Sequence, residues 1–478
     1  MVKPLFDLEQ YGDRVAVVQD DRRLTYHDLS CMAQRIAAPA KPRALAFMLC
    51  TNSVASLAAY VGFLRRGVVP LLIEATIERG LLSDLIDRYH PSYLWLPTDQ
   101  ATAFEGAQAL LECEGYQLLS LLQDVPVALH DDLALLISTS GSTGSPKLVR
   151  QTKENLTSNA HSIIEYLSIT ADDVAITSLP MSYVYGLSII NTHLLCGARI
   201  VLTSLASYSG GFWELVRREG VTSFSGVPFM YEMLDRLHFT TKFGAGSLQT
   251  MTQAGGRLDP VLQDRFASWA KQQGIRFVIM YGASEATARM AYLPSEYAQA
   301  KRGSIGIAIP GGRFEVVDDS GTAITSPHVP GNLVYYGSNV TMGYATSFED
   351  LAKGDERHGR LETGDVAEFD EDGFYYIVGR RSRFVKIMGK RVGLDEVEHL
   401  VSQRFGLFEV ACVGDDSRIV ICTSAEADAA QIRDYVHASI GVNARMVEVR
   451  TGLEIPKTAS GKRSYDKLRR LVDTEATR

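Results

Sequence analysis

Residues 44–73 constrain the fold more than any other stretch of the chain. Residues 44–49 form an apolar run of strand length, Asn52 or Ser53 offers a helix N-cap, and an apolar helix then runs to Arg65 and Arg66. Gly67 ends that helix, and residues 68–73 read as a second strand. The two arginines stand at the helix C-terminus, where the macrodipole favours cations. This is a β-α-β unit, and its pattern recurs. Leu156, Ala160, Ile163, Ile164 and Leu167 repeat at helical spacing, and further short strands are expected at 174–177, 199–202 and 276–280. Such alternation predicts an α/β fold with mostly parallel sheets and helices on both faces.

At 478 residues the chain is too long for one compact core. From residue 307 the texture changes to short strands rich in glycine, at 314–318, 332–336 and 373–378, and a small β-rich subdomain is expected over about 307–380. Residues 384–388 then read as a strand and 394–405 as a helix. The expected organisation is a large N-terminal core, residues 1–381, followed by a small mobile α+β lid, residues 382–478. A net charge of −8 leaves no basic balance for nucleic acid as a bulk partner. Six cysteines without a C-x-x-C pair read as reduced, buried thiols, not as a disulfide frame or zinc site. The first residues hold no apolar core of signal-peptide length, and the longest apolar stretch, residues 54–64, is too short to span a bilayer. A cytoplasmic protein is expected.

The stretch Thr139-Ser140-Gly141-Ser142-Thr143-Gly144-Ser145-Pro146-Lys147 follows an apolar run at 133–137. Its glycines allow positive φ, so that successive backbone N–H groups can converge on an anion, while the hydroxyls add donors and Lys147 adds charge. Pro146 and the extended run Leu148-Val149-Arg150 distinguish it from the G-x-x-x-x-G-K-[ST] loop, which opens a helix behind the phosphates. A surface linker would have the same composition.

Four later segments carry chemistry. Tyr281-Gly282-Ala283-Ser284-Glu285 follows the strand at 276–280, and the carboxyl ends of parallel strands are where such sheets place ligands. Thr363-Gly364-Asp365 precedes Gly379-Arg380, and an acceptor-only carboxylate suits a vicinal diol. Val385-Lys386-Ile387-Met388-Gly389 opens the lid, and Ile455-Pro456-Lys457-Thr458-Ala459-Ser460-Gly461-Lys462 lies near its end. Taken singly, Glu285 reads as a solvated loop residue, T-G-D as a turn, and Lys462 as one more cation beside Arg463, Lys467, Arg469 and Arg470.

In this order and at these intervals the segments resemble the adenylate-forming superfamily: acyl- and aryl-CoA synthetases, adenylation domains of nonribosomal peptide synthetases, and beetle luciferases. The resemblance covers nearly the whole chain and is nearest to stand-alone acyl-CoA synthetases. It departs at Leu148, where a glycine usually follows the lysine. The resemblance implies that Thr139, Ser140, Gly141, Ser142, Thr143, Gly144 and Lys147 grip the phosphates of ATP. It places Tyr281 against the adenine, with Gly282 and Ala283 in the same nucleotide segment, Ser284 on the α-phosphate and Glu285 on Mg²⁺. Gly255 and Gly256 would let the backbone approach the adenine and leave room for an acyl group, while Asp365 and Arg380 would hold the ribose. Ser382 would be the hinge of the lid, Lys386 and Gly389 would enter for the second half-reaction with Gly389 beside the thiol tunnel, and Lys462 would serve the first.

The segment Leu179 to Leu187 resembles the one that lines the acyl pocket, where position 183 is usually histidine in acyl-CoA synthetases and aspartate in amino-acid-activating domains. Tyr183 stands there instead, and a phenol supplies no charge for an α-ammonium at neutral pH. Proteinogenic amino acids are therefore not expected as substrates. Val184, Val227, Phe229 and Met290 favour an uncharged tail, Arg289 is a candidate to meet a second carboxylate, and Tyr185 reads as a core aromatic. The implied activity is ATP-dependent ligation of a small carboxylic acid through an acyl adenylate to a thiol. No G-G-x-S carrier motif follows the lid, so a thiol supplied in trans is expected: coenzyme A first, the phosphopantetheine of a separate carrier protein second. The alternative of another class is a catalytically silent nucleotide-binding homologue, which has no physical need for Lys147, Glu285, Asp365 and Lys462 together.

Overall fold

The computed structural model describes residues 6–121, 126–138, 147–242, 244, 246–380, 383–387, 390–407, 409–415, 417–457 and 463–475. Leu45–Cys50 and Val69–Glu74 pair in parallel, joined by the helix Val54–Arg66. Ser53 caps that helix by accepting from the Ser56 N–H, and Gly67 closes it in the left-handed region. The two strands belong to an eight-stranded sheet whose central four, Leu133–Ser138, Val69–Glu74, Leu45–Cys50 and Tyr93–Pro97, run parallel.

The second sheet has thirteen strands. Its parallel part runs Val15–Gln19, Arg199–Leu202, Val174–Ile176, Ser223–Gly226, Thr250–Gln253 and Arg276–Tyr281 in spatial order. At Arg276–Tyr281 the direction reverses. Ala291–Leu293 and Ser304–Ala308 continue the sheet antiparallel, followed by Tyr375–Arg380, Arg360–Phe369, Gly331–Tyr336 and Arg313–Val317. The strands expected as a β-rich subdomain are thus hydrogen-bonded continuously to the parallel sheet.

Helices Val54–Arg66 and Val184–Cys196 lie between the two sheets. One core cluster runs from Ala46 and Met48 through Leu57, Tyr60, Leu187 and Ile190 to Ile200 and Leu202. A helix covered on all sides has no polar face, which is why residues 54–64 read as a continuous apolar run. Gly62 lets this helix touch Tyr26–Ala37, since a Cβ there would lie 2.2 Å from the Ala33 carbonyl oxygen.

The helix Val184–Cys196 also buries His193, which is 3% exposed. Its Nδ1–H donates to the Ile189 carbonyl at 2.8 Å, and burial pushes its pKa from 6.5 down to about 4. Between those values the unfolded chain binds more protons than the folded one, so stability falls as pH falls through this window. Urea unfolding from pH 7 to pH 4 should show wild type losing up to about 3 kcal/mol more than His193→Leu. Parallel pH profiles for the two would disprove a buried neutral imidazole.

After residue 383 the chain builds its own cores. Phe384–Ile387 and Lys390–Gly393 form a hairpin, and Val410–Gly414, Ile419–Thr423 and Val447–Arg450 a three-stranded sheet, with helices Leu394–Phe405, Ala429–Ile440 and Tyr465–Glu475. Their shared anchor is the buried Glu398, which accepts from Arg383, Arg463, Tyr465 and the Cys412 N–H. Cys50, Cys113, Cys412 and Cys422 are buried free thiols, but Cys31 lies exposed and Cys196 half-buried, which corrects the expectation for those two. Among the described residues no helix is long and apolar enough to cross a membrane.

Candidate active site

The strand Arg276–Tyr281 ends where the sheet changes direction, and the chain folds back on itself over residues 282–290. Gly282 makes this possible: a Cβ there would lie 1.8 Å from the Ala288 carbonyl oxygen and 2.8 Å from Arg289 Cα. The Met290 N–H donates to the Tyr281 carbonyl at 2.8 Å and closes the fold-back. Ser284–Ala286 forms a short 3-10 turn within it.

At the start of the fold-back the Tyr281 hydroxyl donates to Asp365 Oδ2, and Arg380 Nε donates to Oδ1 at 3.1 Å. Asp365 and Arg380 are register partners on adjacent strands, so T-G-D is part of Arg360–Phe369 and not a free turn. Burial raises the Asp365 pKa, while the Arg380 charge and the Tyr281 hydrogen bond oppose the rise. Burial and the Asp365 charge push the Tyr281 hydroxyl well above its ordinary value.

At the middle of the fold-back Glu285 Oε1 accepts from the Tyr344 hydroxyl at 2.6 Å. The Glu285 carbonyl accepts from the Thr341 N–H at 3.0 Å and from Arg357 Nη1 at 3.2 Å. Two cations lie against the Tyr344 ring, Arg357 at 4.6 Å and Lys147 at 5.5 Å from its centroid. Lys147 reaches it through strand register: Gly343–Ala345 pairs with Leu148–Thr152, with Tyr344 opposite Val149. Leu148, where the superfamily prefers glycine, is fully buried in the core of the eight-stranded sheet. Burial and the Glu285 charge push the Tyr344 pKa up to about 12, so the phenol stays a donor to the carboxylate. Ala283, Glu285, Tyr344, Arg357 and Thr363 line a cleft of about 440 Å³. Sequence reasoning missed Tyr344 and Arg357, whose only signal was an aromatic after a glycine and one arginine among many.

The end of the fold-back faces the expected acyl side. A Cβ on Gly255, at φ 84°, would lie 2.7 Å from Tyr183 Oη and 3.1 Å from Val227 Cγ1, and one on Gly256 3.2 Å from Pro228 Cγ. Tyr183, Tyr185, Val227 and Phe229 share one cluster. Val184 does not join it. One residue further along a helix turns the side chain by about 100°, and Val184 packs between the sheets instead. Met290 lies beyond the fold-back and packs with Phe314 and Leu333 on the antiparallel side. Burial pushes the Tyr183 pKa up to about 12, so it offers no charge. Tyr185 is buried, as expected, and its ring lies 5.0 Å from the Arg289 guanidinium.

The loop residues 139–144, Ser382, Gly389 and Lys462 lie outside the described residues, and Lys386 sits in the strand Phe384–Ile387. The chain beside Lys462 does reach the core. Lys457 pairs with Glu409 and places its Nζ 5.1 Å from the ring centroid of Phe229, next to Val227 and Pro228. Among the described residues no three histidine, cysteine or acidic side chains gather as a metal site.

One fold-back thus sets the Glu285 carboxylate beside Tyr344 and Lys147 and holds the Asp365 carboxylate through Tyr281, with Arg380 on its other oxygen. Residues 7–345 match the family described as AMP-binding enzyme, and the chain belongs to that family. It is 25% identical to the 3-hydroxybenzoate–CoA ligase of Aromatoleum sp. (strain CIB), over 96% of this chain and 94% of that one. It is 26% identical to the indoleacetate–CoA ligase of Aromatoleum aromaticum, over 96% and 95%. Its fold is shared with an O-succinylbenzoate coenzyme A synthetase from Bacillus subtilis in complex with AMP, at TM-score 0.78 and 22% identity over 96% and 97% of the chains. It is also shared with ATP-bound MatB from Rhodopseudomonas palustris, at TM-score 0.81 and 21% identity over 98% and 99%. The protein is an AMP-forming acid–thiol ligase: it converts a carboxylic acid to an acyl adenylate with release of pyrophosphate and passes the acyl group to a thiol.

Proposed function

We propose that the thiol is coenzyme A and that residues 281–290 tie the three subsites together. The observation that carries this reading is that one fold-back touches the Asp365–Arg380 pair at Tyr281, the Tyr344–Lys147 group at Glu285 and the Tyr183 cluster through Arg289. Asp365 and Arg380 hold the ribose, Tyr281 the adenine, and Ser284 the α-phosphate. Lys147 and the 139–144 loop hold the outgoing phosphates. Glu285 fits Mg²⁺, since hard cations bind phosphates with one or two carboxylates and Tyr344 orients this one. Bound there, the metal supplies charge neutralisation for the phosphates.

The substrate carboxylate attacks the α-phosphorus in line, a new P–O bond forms, and the bond to pyrophosphate breaks. Lys147 meets the departing charge, and Lys462 offsets charge on the carboxylate and α-phosphate oxygens. The lid, residues 382–478, then turns about Ser382. Lys386 and Gly389 come in with the thiol, which attacks the acyl carbon and releases AMP. The free thiols agree with a cytoplasmic location. The acceptor is favoured by the curated relatives spanning nearly the whole chain, which are coenzyme A ligases.

The test is pyrophosphate release with magnesium ATP across a panel of carboxylic acids, followed by product analysis with coenzyme A or a holo carrier protein. Acid-dependent release and a coenzyme A thioester are expected, with proteinogenic amino acids inactive. Thioester on the carrier protein and none on coenzyme A would reverse the choice of acceptor.

A further inference from the structure

Among the described residues two arginines are buried almost completely, Arg150 and Arg289. Arg150 has an anion: its Nη2 meets Glu356 Oε2 at 2.5 Å, and backbone carbonyls take its other donors. Arg289 has none. Its Nη1 donates to the Tyr166 hydroxyl at 3.1 Å and the Met280 Sδ at 3.0 Å, its Nη2 to Ser188 Oγ at 3.1 Å, and its Nε meets no partner among the described residues. All three acceptors are neutral, and a thioether is a weak one. A guanidinium that is 3% exposed and lacks an anion is costly, because neutral dipoles replace only part of its hydration.

The position of Arg289 says where the missing anion would come from. It ends the fold-back that carries Glu285, and its guanidinium lies 5.0 Å from the Tyr185 ring, which is 6.4 Å from the ring of Tyr183. Tyr183 in turn stands over Gly255. Tyr185 thus stands between the Tyr183 ring and the guanidinium, and a compact acid, one benzene ring or a few methylenes between its carboxylates, suits so short a relay.

We propose that the acid is dianionic: one carboxylate is activated, and a second carboxylate accepts hydrogen bonds from Arg289 in place of its weak neutral partners. The proposal rests on the ligase reading above and names the substrate class of that site. Arg289 is then a specificity-determining residue. The rival role is a bolt that joins the helices Lys153–Leu167 and Val184–Cys196 to the strand Arg276–Tyr281, which its present partners also allow.

ATP–pyrophosphate exchange separates the two roles, measured with benzoate against the three benzenedicarboxylates and hexanoate against adipate. In wild type the best diacid should exceed its monoacid by roughly 30-fold or more in kcat/KM, the ratio for one partner of a buried charge pair. Arg289→Met should collapse that ratio, chiefly through KM for the diacid, and Arg289→Lys should retain part of it. Monoacids exchanging as well as every diacid would overturn the inference and leave the ligase reading standing. An unchanged ratio in Arg289→Met would reduce Arg289 to a bolt. No exchange with any acid would overturn both readings. If Arg289→Met fails to fold by circular dichroism, the wild-type ratio and Arg289→Lys decide.

Discussion

Lys462→Ala should lower acyl-adenylate formation by about 10² to 10³ and leave thioester formation from preformed acyl adenylate near the wild-type rate. The first step concentrates negative charge where the carboxylate meets the α-phosphate, and a cation placed there acts on the transition state more than on the ground state. The second step attacks a neutral acyl carbon and expels AMP, and needs no charge from this lysine. Ile455–Lys457 and Arg463–Tyr465 are tied by the Ser464 N–H to Pro456 carbonyl bond at 2.7 Å and a Lys457–Arg463 bridge. Lys457 sits on Phe229, which clusters with Val227 and Tyr183. Lys462 is bonded directly to Arg463, one end of that tie. The two half-reactions would be assayed separately, as acyl-AMP from ATP and as thioester from synthetic acyl-AMP plus coenzyme A. Equal losses in both would sink the two-state lid and leave Lys462 a structural residue.

What could be read in the sequence was local. The β-α-β unit at 44–73 was legible because each of its signals, the Ser53 cap, the apolar run and the Gly67 stop, lies within a few residues of the element it shapes. Asp365 and Arg380 were legible as a pair only through the order of motifs. Their contact is a register fact across two strands, and no spacing rule gives register. Tyr344 was invisible for the same reason. Its meeting with Glu285 and Lys147 depends on Gly343–Ala345 crossing to the edge of the other sheet, nearly 200 residues from the lysine. Val184 and Met290 were assigned to the acyl side by proximity in sequence. Helix rotation and the turn after Arg289 send them elsewhere.

Gly282→Ala should cost about 10² or more in ATP–pyrophosphate exchange while leaving the protein folded. No unusual backbone angle is involved, because Gly282 is not in the left-handed region. The effect is steric. An added Cβ would lie 1.8 Å from the Ala288 carbonyl oxygen and 2.8 Å from Arg289 Cα, and backbone atoms, unlike the end of a flexible side chain, cannot swing aside. The fold-back would have to open by more than an ångström at its base, and Ser284, Glu285 and Arg289 all ride on it. Misplacement on that scale would separate the phosphate, metal and acyl contacts proposed for these residues, so KM for ATP and for the acid should rise together with a fall in kcat. The parallel strands beneath do not depend on the fold-back, and a stability loss of about 1 to 3 kcal/mol is expected from the local overpacking. Gly256→Ala is the comparison: its Cβ would lie 3.2 Å from a ring carbon of Pro228, which a small shift relieves, so a much weaker effect is expected. Near-wild-type exchange by a folded Gly282→Ala enzyme would mean that the loop tolerates opening, and that one rigid turn does not hold the three subsites in common.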